Sequence, residues 1–318
     1  MSRIAAIALL FLALAVANHS ALAQTARTIR IFITVPPGGT IDFLVRVLAD
    51  HIGRTRGQTI LVESRPGAAG MIAADAVARS APDGNTLLVN HNGFVINSIL
   101  RKASFDLAAF EPVCFLVRSP QVLVVKGDSP YRTLGDLIAA ARAKPGALSI
   151  ASVGPMTTQH FAIERLKRLA NADMTFVPFT GGAPAINALL GGHVTAVLQN
   201  YSESGEQISS GHLRALATPS AKRIEPAPDV PTIAESGFPG FEAEVWFGLV
   251  APAKTPQDTV AQLIDWFGAA LRAPEVKKRL EVQALYPDAR CGADFAAHIR
   301  RQTEEFTRII REANIKTE

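Results

Sequence analysis

A β-strand, a loop of small residues and a helix follow one another four times along this chain of 318 residues. The first unit contains "ITVPPGGTIDF", Ile33 to Phe43. A β-branched stretch stops at two prolines and two glycines, and from Ile41 the apolar residues Ile41, Leu44, Val45, Leu48 and Ile52 recur at helical spacing. The second unit joins the strand "QTILVES" (Gln58–Ser64) through "RPGAAG" to the helix "MIAADAVARS". The third runs from "ALSIAS" (Ala147–Ser152) through "VGPMT" into a helix with Ala162, Leu166 and Leu169 on one face. The fourth joins "MTFVPF" (Met174–Phe179) through "TGGA" to "PAINALLGG", which opens on Pro184, a residue suited to a helix's first turn. Alternating strands and helices imply α/β layers with largely parallel sheets. One pair of units lies before residue 80 and the other between 147 and 192, which predicts two α/β domains rather than one sheet. The β-rich stretches "QVLVV" (Gln121–Val125) and "EVWFGLVAP" (Glu244–Pro252) are the candidates for crossing between them, and the C-terminal part reads as helical.

The loops point to chemistry. Each helix start exposes unpaired N–H groups and a partial positive charge. A loop without bulky side chains lets an anion reach those groups, and prolines before the glycines stiffen it. One such loop is as well explained by a tight turn; four favour a ligand, a carboxylate or phosphate. None matches a P-loop or a dinucleotide fingerprint. Asp42, in the first turn after "PPGG", suits the helix dipole and would repel an anion, so a plain capping role is expected for it.

The chain opens "MSRIAAIALLFLALAVANHSALAQ". A positive Arg3, an apolar run from Ile4 to Ala17 and the small residues Ala21-Leu22-Ala23 have the form of a secretory signal peptide over 1–23, with a mature chain from Gln24. The run is shorter than the roughly 20 residues of a spanning helix. The mature chain is thus expected to be soluble outside the cytoplasm. The full chain has 48% hydrophobic and 19% charged residues, enough to bury a real core. A net charge of +4 suits acidic ligands but is too dispersed for nucleic acid, because no basic cluster is interleaved with aromatics. Cys114 and Cys291 are the only cysteines. An exported chain permits a disulfide, and two buried free thiols is the plainer expectation.

Enzyme signals are sparse. There is no G-x-S-x-G elbow. His160 and Glu164 stand four apart on a predicted helix without a third metal ligand, so neither a metal nor a cofactor is expected. Ser220 and Lys222 read as solvated surface, and Trp246 and Phe247 as core or pocket wall.

Nine stretches taken together resemble one family, the Bug-type extracytoplasmic solute receptors of tripartite tricarboxylate transporters. They are "VPPGGTIDFLVR", "VESRPGAAG", "APDGNTLL", "FDLAAFEPV", "PGALSIASVGP", "VPFTGGAPAINALLGGHV", "LRALATPSAKR", "PDVPTIAESGFPGFE" and "WFGLVAPAKTP", in the family's order over nearly the whole mature chain. The resemblance implies a two-lobed type II periplasmic-binding-protein fold, α/β, with two crossing strands and hinge closure on a ligand. The lobes would be 24–122 with 245–318, and 123–244. It implies a small carboxylate held by Pro37, Gly38, Gly39 and Thr40 in one lobe. In the other lobe the ligand set would be Ser152, Gly154, Thr157 and His160, then Thr180, Gly181, Gly182 and Ala183. Asn90 and His91, at the end of "TLLVNHN", would also face the cleft. It further implies a monomer that delivers its ligand to membrane transporter subunits. The sequence departs from the family at Val35, where an aromatic is common, at Phe179-Thr180, where Tyr-Lys is common, and at Ala69 in "PGAAG". These changes touch the side chains that select a ligand, not the backbone grip. The alternatives from other classes are a secreted enzyme acting on a small acid and a sensory receptor for a signalling partner.

Overall fold

The computed structural model describes residues 28–100, 106–155 and 157–312. The expected signal peptide, Gln24 and Met156 lie outside the described residues. Eleven strands among those residues form two sheets.

The first sheet is built from β1 (Ile29–Ile33), β2 (Ile60–Ser64), β3 (Thr86–His91), β4 (Phe110–Ser119), β10 (Val245–Pro252) and β11 (Tyr286–Pro287), in the order β11-β4-β10-β3-β1-β2. β1 runs parallel to β2 and β3, while β10 is antiparallel to β3 and β4. The second sheet is built from β5 (Gln121–Lys126), β6 (Ser149–Val153), β7 (Thr175–Phe179), β8 (Ala196–Asn200) and β9 (Leu213–Ala217), in the order β7-β6-β8-β5-β9. β6 is parallel to β7 and β8, and β5 is antiparallel to β8 and β9. The alternating units therefore supply the parallel strands, and each passage between sheets adds antiparallel ones.

The chain leaves the first sheet between β4 and β5, across Pro120, and returns along 218–244 into β10. Gln121 and Val122, at the edge of the expected first lobe, pair with Asn200 and Gln199 of the second sheet.

Helix α1 (Thr40–Arg56) carries the stripe predicted from its spacing: Ile41, Leu44, Val45, Leu48 and Ile52 are all buried. Full burial of each such side chain stabilises by roughly 1.5–3 kcal/mol. Gly57 ends the helix at φ 66°, a left-handed conformation that glycine adopts without a Cβ clash. The other helices are α2 (Met71–Ala78), α3 (Asn92–Leu100), α4 (Leu134–Ala143), α5 (Thr158–Ala170), α6 (Gly182–Leu190), α7 (Gly205–Ser209), α8 (Gln257–Arg272), α9 (Pro274–Glu281) and α10 (Ala293–Glu312). On α5 the buried face is Ala162, Ile163, Leu166 and Ala170. Leu169, expected on that face, is 51% exposed, because the stripe turns one position away from it.

Cys114 and Cys291 form a disulfide, which corrects the expectation of free thiols. The two residues make an isolated antiparallel bridge, flanked by Phe115 N–H donating to Arg290 C=O (2.8 Å) and Gly292 N–H to Val113 C=O (2.8 Å). The segment just before α10 thus lies alongside β4, which brings cysteines 177 residues apart into one pair.

Candidate functional site

The C-terminal ends of β1, β6 and β7 each feed a loop that opens a helix, and all of these loops border one cavity of about 800 Å³. This is the edge where open α/β sheets bind ligands. In the first lobe, Pro36 and Pro37 lead to Gly38 (φ 86°) and Gly39, and α1 starts at Thr40. Asp42 accepts from Gly38 N–H (3.0 Å) and from Arg46 Nε (3.0 Å), so it ties the loop to the helix rather than facing a ligand. Burial alone would raise the Asp42 carboxyl, but the bonds from Arg46 and Gly38 outweigh it and hold the group below its usual range.

In the second lobe, Gly154 (φ 48°) and Thr157 turn β6 into α5. The Thr157 hydroxyl accepts from His160 N–H (3.3 Å) and donates to Val153 C=O (2.8 Å), which fixes the N-cap. Between β7 and α6, Gly181 is the N-cap and no side chain caps this helix.

One carboxylate joins these starts. Glu203 follows β8, and its Oε1 accepts from the N–H of Thr40 (3.2 Å). A Cβ added to Gly182 would fall on the same carboxylate, so Glu203 is wedged between the first turns of α1 and α6. Its Oε2 is buried with no hydrogen-bond partner among the described residues. Burial pushes the Glu203 carboxyl up, against the opposing pull of its bonds to Thr40. Nearby, Thr40 Oγ1 is 2.7 Å from Ser202 Oγ and accepts from Asn200 Nδ2 (3.2 Å). The place where an outside anion was expected at "PPGG" is thus taken, in this conformation, by the protein's own carboxylate.

His91 lies at the end of β3 and lines the cavity. Its Nδ1 accepts from Gly93 N–H (3.0 Å), which leaves the proton of the neutral ring on Nε2. Burial lowers its pKa to about 4, so the ring is an uncharged donor at neutral pH. Phe247 stands edge-on to it, with centroids 6.5 Å apart.

Of the residues expected in the site, Pro37, Gly39, Thr40, His91, Gly154, Thr157, Thr180, Gly181, Gly182 and Ala183 line this cavity. Gly38, Asn90, Ser152 and His160 do not. Strand alternation turns Asn90 away from the side His91 faces, into a second cavity against α10. Ser152 is fully buried within β6. Gly38 spends its N–H on Asp42. The His160 ring stacks on Phe176 at 4.2 Å, and no group of three metal-binding side chains exists among the described residues. Trp246 packs in the core against Phe115 and Phe295, whereas its neighbour Phe247 is cavity wall.

Sequence reading missed Asn200 and Glu203, and it counted the loop holding Pro66–Ala68 among the four that favour a ligand without naming its residues in the site; all of them line the cavity. The signal was available for the first two: they end or follow "AVLQN", and the same rule about strand ends applied to β8 finds them.

Comparison with known proteins agrees with this architecture. Residues 44–315 match the family described as the tripartite tricarboxylate transporter family receptor. Protein BugT of Bordetella pertussis is 33% identical over 325 residues, covering 99% of each chain. Among solved structures, an R. palustris protein with adipate superposes with a TM-score of 0.87 at 30% identity, covering 92% of this chain and 99% of that one. The periplasmic binding protein BugD gives 0.87 at 29% identity, with 92% and 99% covered. MatC from Rhodopseudomonas palustris, with bound malate, gives 0.83 at 29% identity, with 90% and 99% covered. The two-lobed fold, the loops at the strand ends and the match over most of its length place this chain in the tripartite tricarboxylate transporter receptor family.

Proposed function

We infer that this receptor captures a small carboxylate in the cleft between its lobes and passes it to the membrane subunits of a tripartite transporter. The observation that carries the reading is the convergence of three helix starts, Thr40, Thr158 and Gly182, from both lobes on one cavity. N–H groups at helix starts favour anions, although that of Thr40 is held by Glu203 in this conformation. The relatives solved with adipate and malate support the same ligand class.

The mechanism is a population shift. A ligand that touches both lobes favours the closed form, which the membrane partner distinguishes from the open one. Nothing turns over in this account. Cleavage near Ala23 would release the mature chain into the periplasm, a reading supported by solved relatives described as periplasmic. No helix among the described residues is long and apolar enough to cross a membrane. The pairing of strands supports lobes close to 24–122 with 245–318, and 123–244, with Gln121 and Val122 paired into the second sheet.

Gly39→Val tests the cleft directly. A Cβ at Gly39 would stand 3.3 Å from Glu203 Oε1 and 3.6 Å from Val35 Cγ2, at the cavity wall. The variant should keep its circular dichroism and lose carboxylate binding by titration calorimetry. Unchanged affinity would move the site elsewhere.

A further inference from the structure

The wall of the cleft contains no lysine or arginine among the described residues, and its charged side chain is an acid, Glu203. A ligand with several carboxylates would bring negative charge to a site without a compensating cation. His91, the remaining titratable group on the wall, is neutral at physiological pH because burial lowers its pKa to about 4.

Glu203 itself has no counter-ion among the described residues. Oε1 accepts from Thr40 N–H, and Oε2 accepts no bond from the described residues. A carboxylate has about four acceptor positions. Taking it out of water without a partner is costly unless a cation or further donors meet it. Glu203 lines the cavity, so a bound molecule there can supply such a partner. Gly182 is glycine where any Cβ would collide with this carboxylate, so the acid is accommodated by the backbone around it. The start of α5, at Thr158 and Gln159, borders the same cavity away from Glu203's bond to α1 and can take a ligand carboxylate. Val35, Val153, Phe179 and Phe247 supply apolar wall between.

We propose that Glu203 sets the ligand class: the cleft takes an amino acid, whose ammonium group meets the Glu203 carboxylate while its own carboxylate lies at the start of α5. This rests on the receptor reading above and narrows it. Plain dicarboxylates, which lack the ammonium, are the disfavoured class.

The test compares amino acids with the same acids lacking the amino group. The pairs are L-phenylalanine and hydrocinnamate, L-leucine and isocaproate, and L-glutamate and glutarate. Each is titrated calorimetrically into the mature protein after unfolding, dialysis and refolding to remove bound solute. At least one amino acid should bind about tenfold or more tightly than its partner, the scale of one charge-assisted hydrogen bond. In Glu203→Gln that preference should fall to within about threefold, because the amide keeps the shape but not the charge. A wild-type protein that binds the desamino acids as tightly as the amino acids, or tighter, overturns the inference. So does a folded Glu203→Gln that keeps the preference. Binding by none of the three amino acids also overturns it, but leaves the receptor reading intact if any plain acid binds. If the variant fails to fold, the wild-type comparison decides alone.

Discussion

The N–H of Thr40, the first residue of α1, donates to Oε1 of Glu203 across 3.2 Å, although the two residues are 163 positions apart. A helix of the first lobe is therefore capped by an acid of the second. Thr40 is held at the same place through its hydroxyl, by Ser202 and Asn200. The lobes meet through a polar contact at the site itself, where a ligand can compete with it or add to it.

Glu203→Gln should stabilise the ligand-free protein at neutral pH. The folded carboxyl is raised above its ordinary value of 4.5 by burial. Its contribution to stability is therefore fully present below that value and is lost as pH rises through the raised one. The melting temperatures of wild type and variant should coincide near pH 4 and separate above it, with the variant higher. A constant gap across that range would mean that the carboxyl titrates alike in folded and unfolded chains.

Gly182→Ala should cost about 1–3 kcal/mol, the range for overpacking a closed site. The new methyl falls on the Glu203 carboxylate. In a Glu203→Ser background the same change should cost below about 1 kcal/mol, because the obstacle is gone. Urea denaturation of the four proteins in this cycle measures the coupling, and strictly additive costs would deny the contact.

Cys114→Ser with Cys291→Ser should lower stability markedly and leave ligand affinity largely intact. The bridge closes a separation of 177 residues, which in the chain-entropy account corresponds to about 5 kcal/mol. It joins β4 to the start of α10, away from the cleft lining. Denaturant midpoints with and without reductant check the first part, and calorimetry the second.

His91 makes stability fall in acid. Its pKa drops from 6.5 to about 4 on folding, so folding is unpenalised above 6.5. Stability is then lost progressively as pH falls to about 4, by roughly 3 kcal/mol at most. His91→Gln should remove that share of the acid dependence. An NMR titration placing His91 near its ordinary value would contradict the burial assigned to it.

What the sequence made legible is what local pattern encodes. The spacing of Ile41, Leu44, Val45, Leu48 and Ile52 already defined the buried face of α1, and "PPGG", "TGGA" and "VGPMT" already marked loops at strand ends. The grouping of the units before residue 80 and between 147 and 192 predicted two α/β domains, and the resemblance over nine stretches added their bounds. The misses depend on distant pairing. Cys114 and Cys291 have no local signal, because only the packing of the segment before α10 against β4 brings them together. Asn90 and His91 were read as a pair, but neighbours on a strand face opposite sides. Glu203 looks like a surface acid in "NYSESGEQ", and only the approach of α1 and α6 makes it part of the cleft.

The central claim is that the cleft holds a carboxylate, and thermal denaturation of residues 24–318 against small acids and their matched primary amides tests it most directly. The panel includes amino acids beside plain carboxylates. A ligand that binds only the folded state adds about 2.7 kcal/mol of stability at a hundred times its dissociation constant. The account predicts a rise in melting temperature with at least one acid, none with its amide, and loss of the rise in Gly39→Val. An amide that stabilises as much as its acid, or an undiminished rise in Gly39→Val, would contradict it.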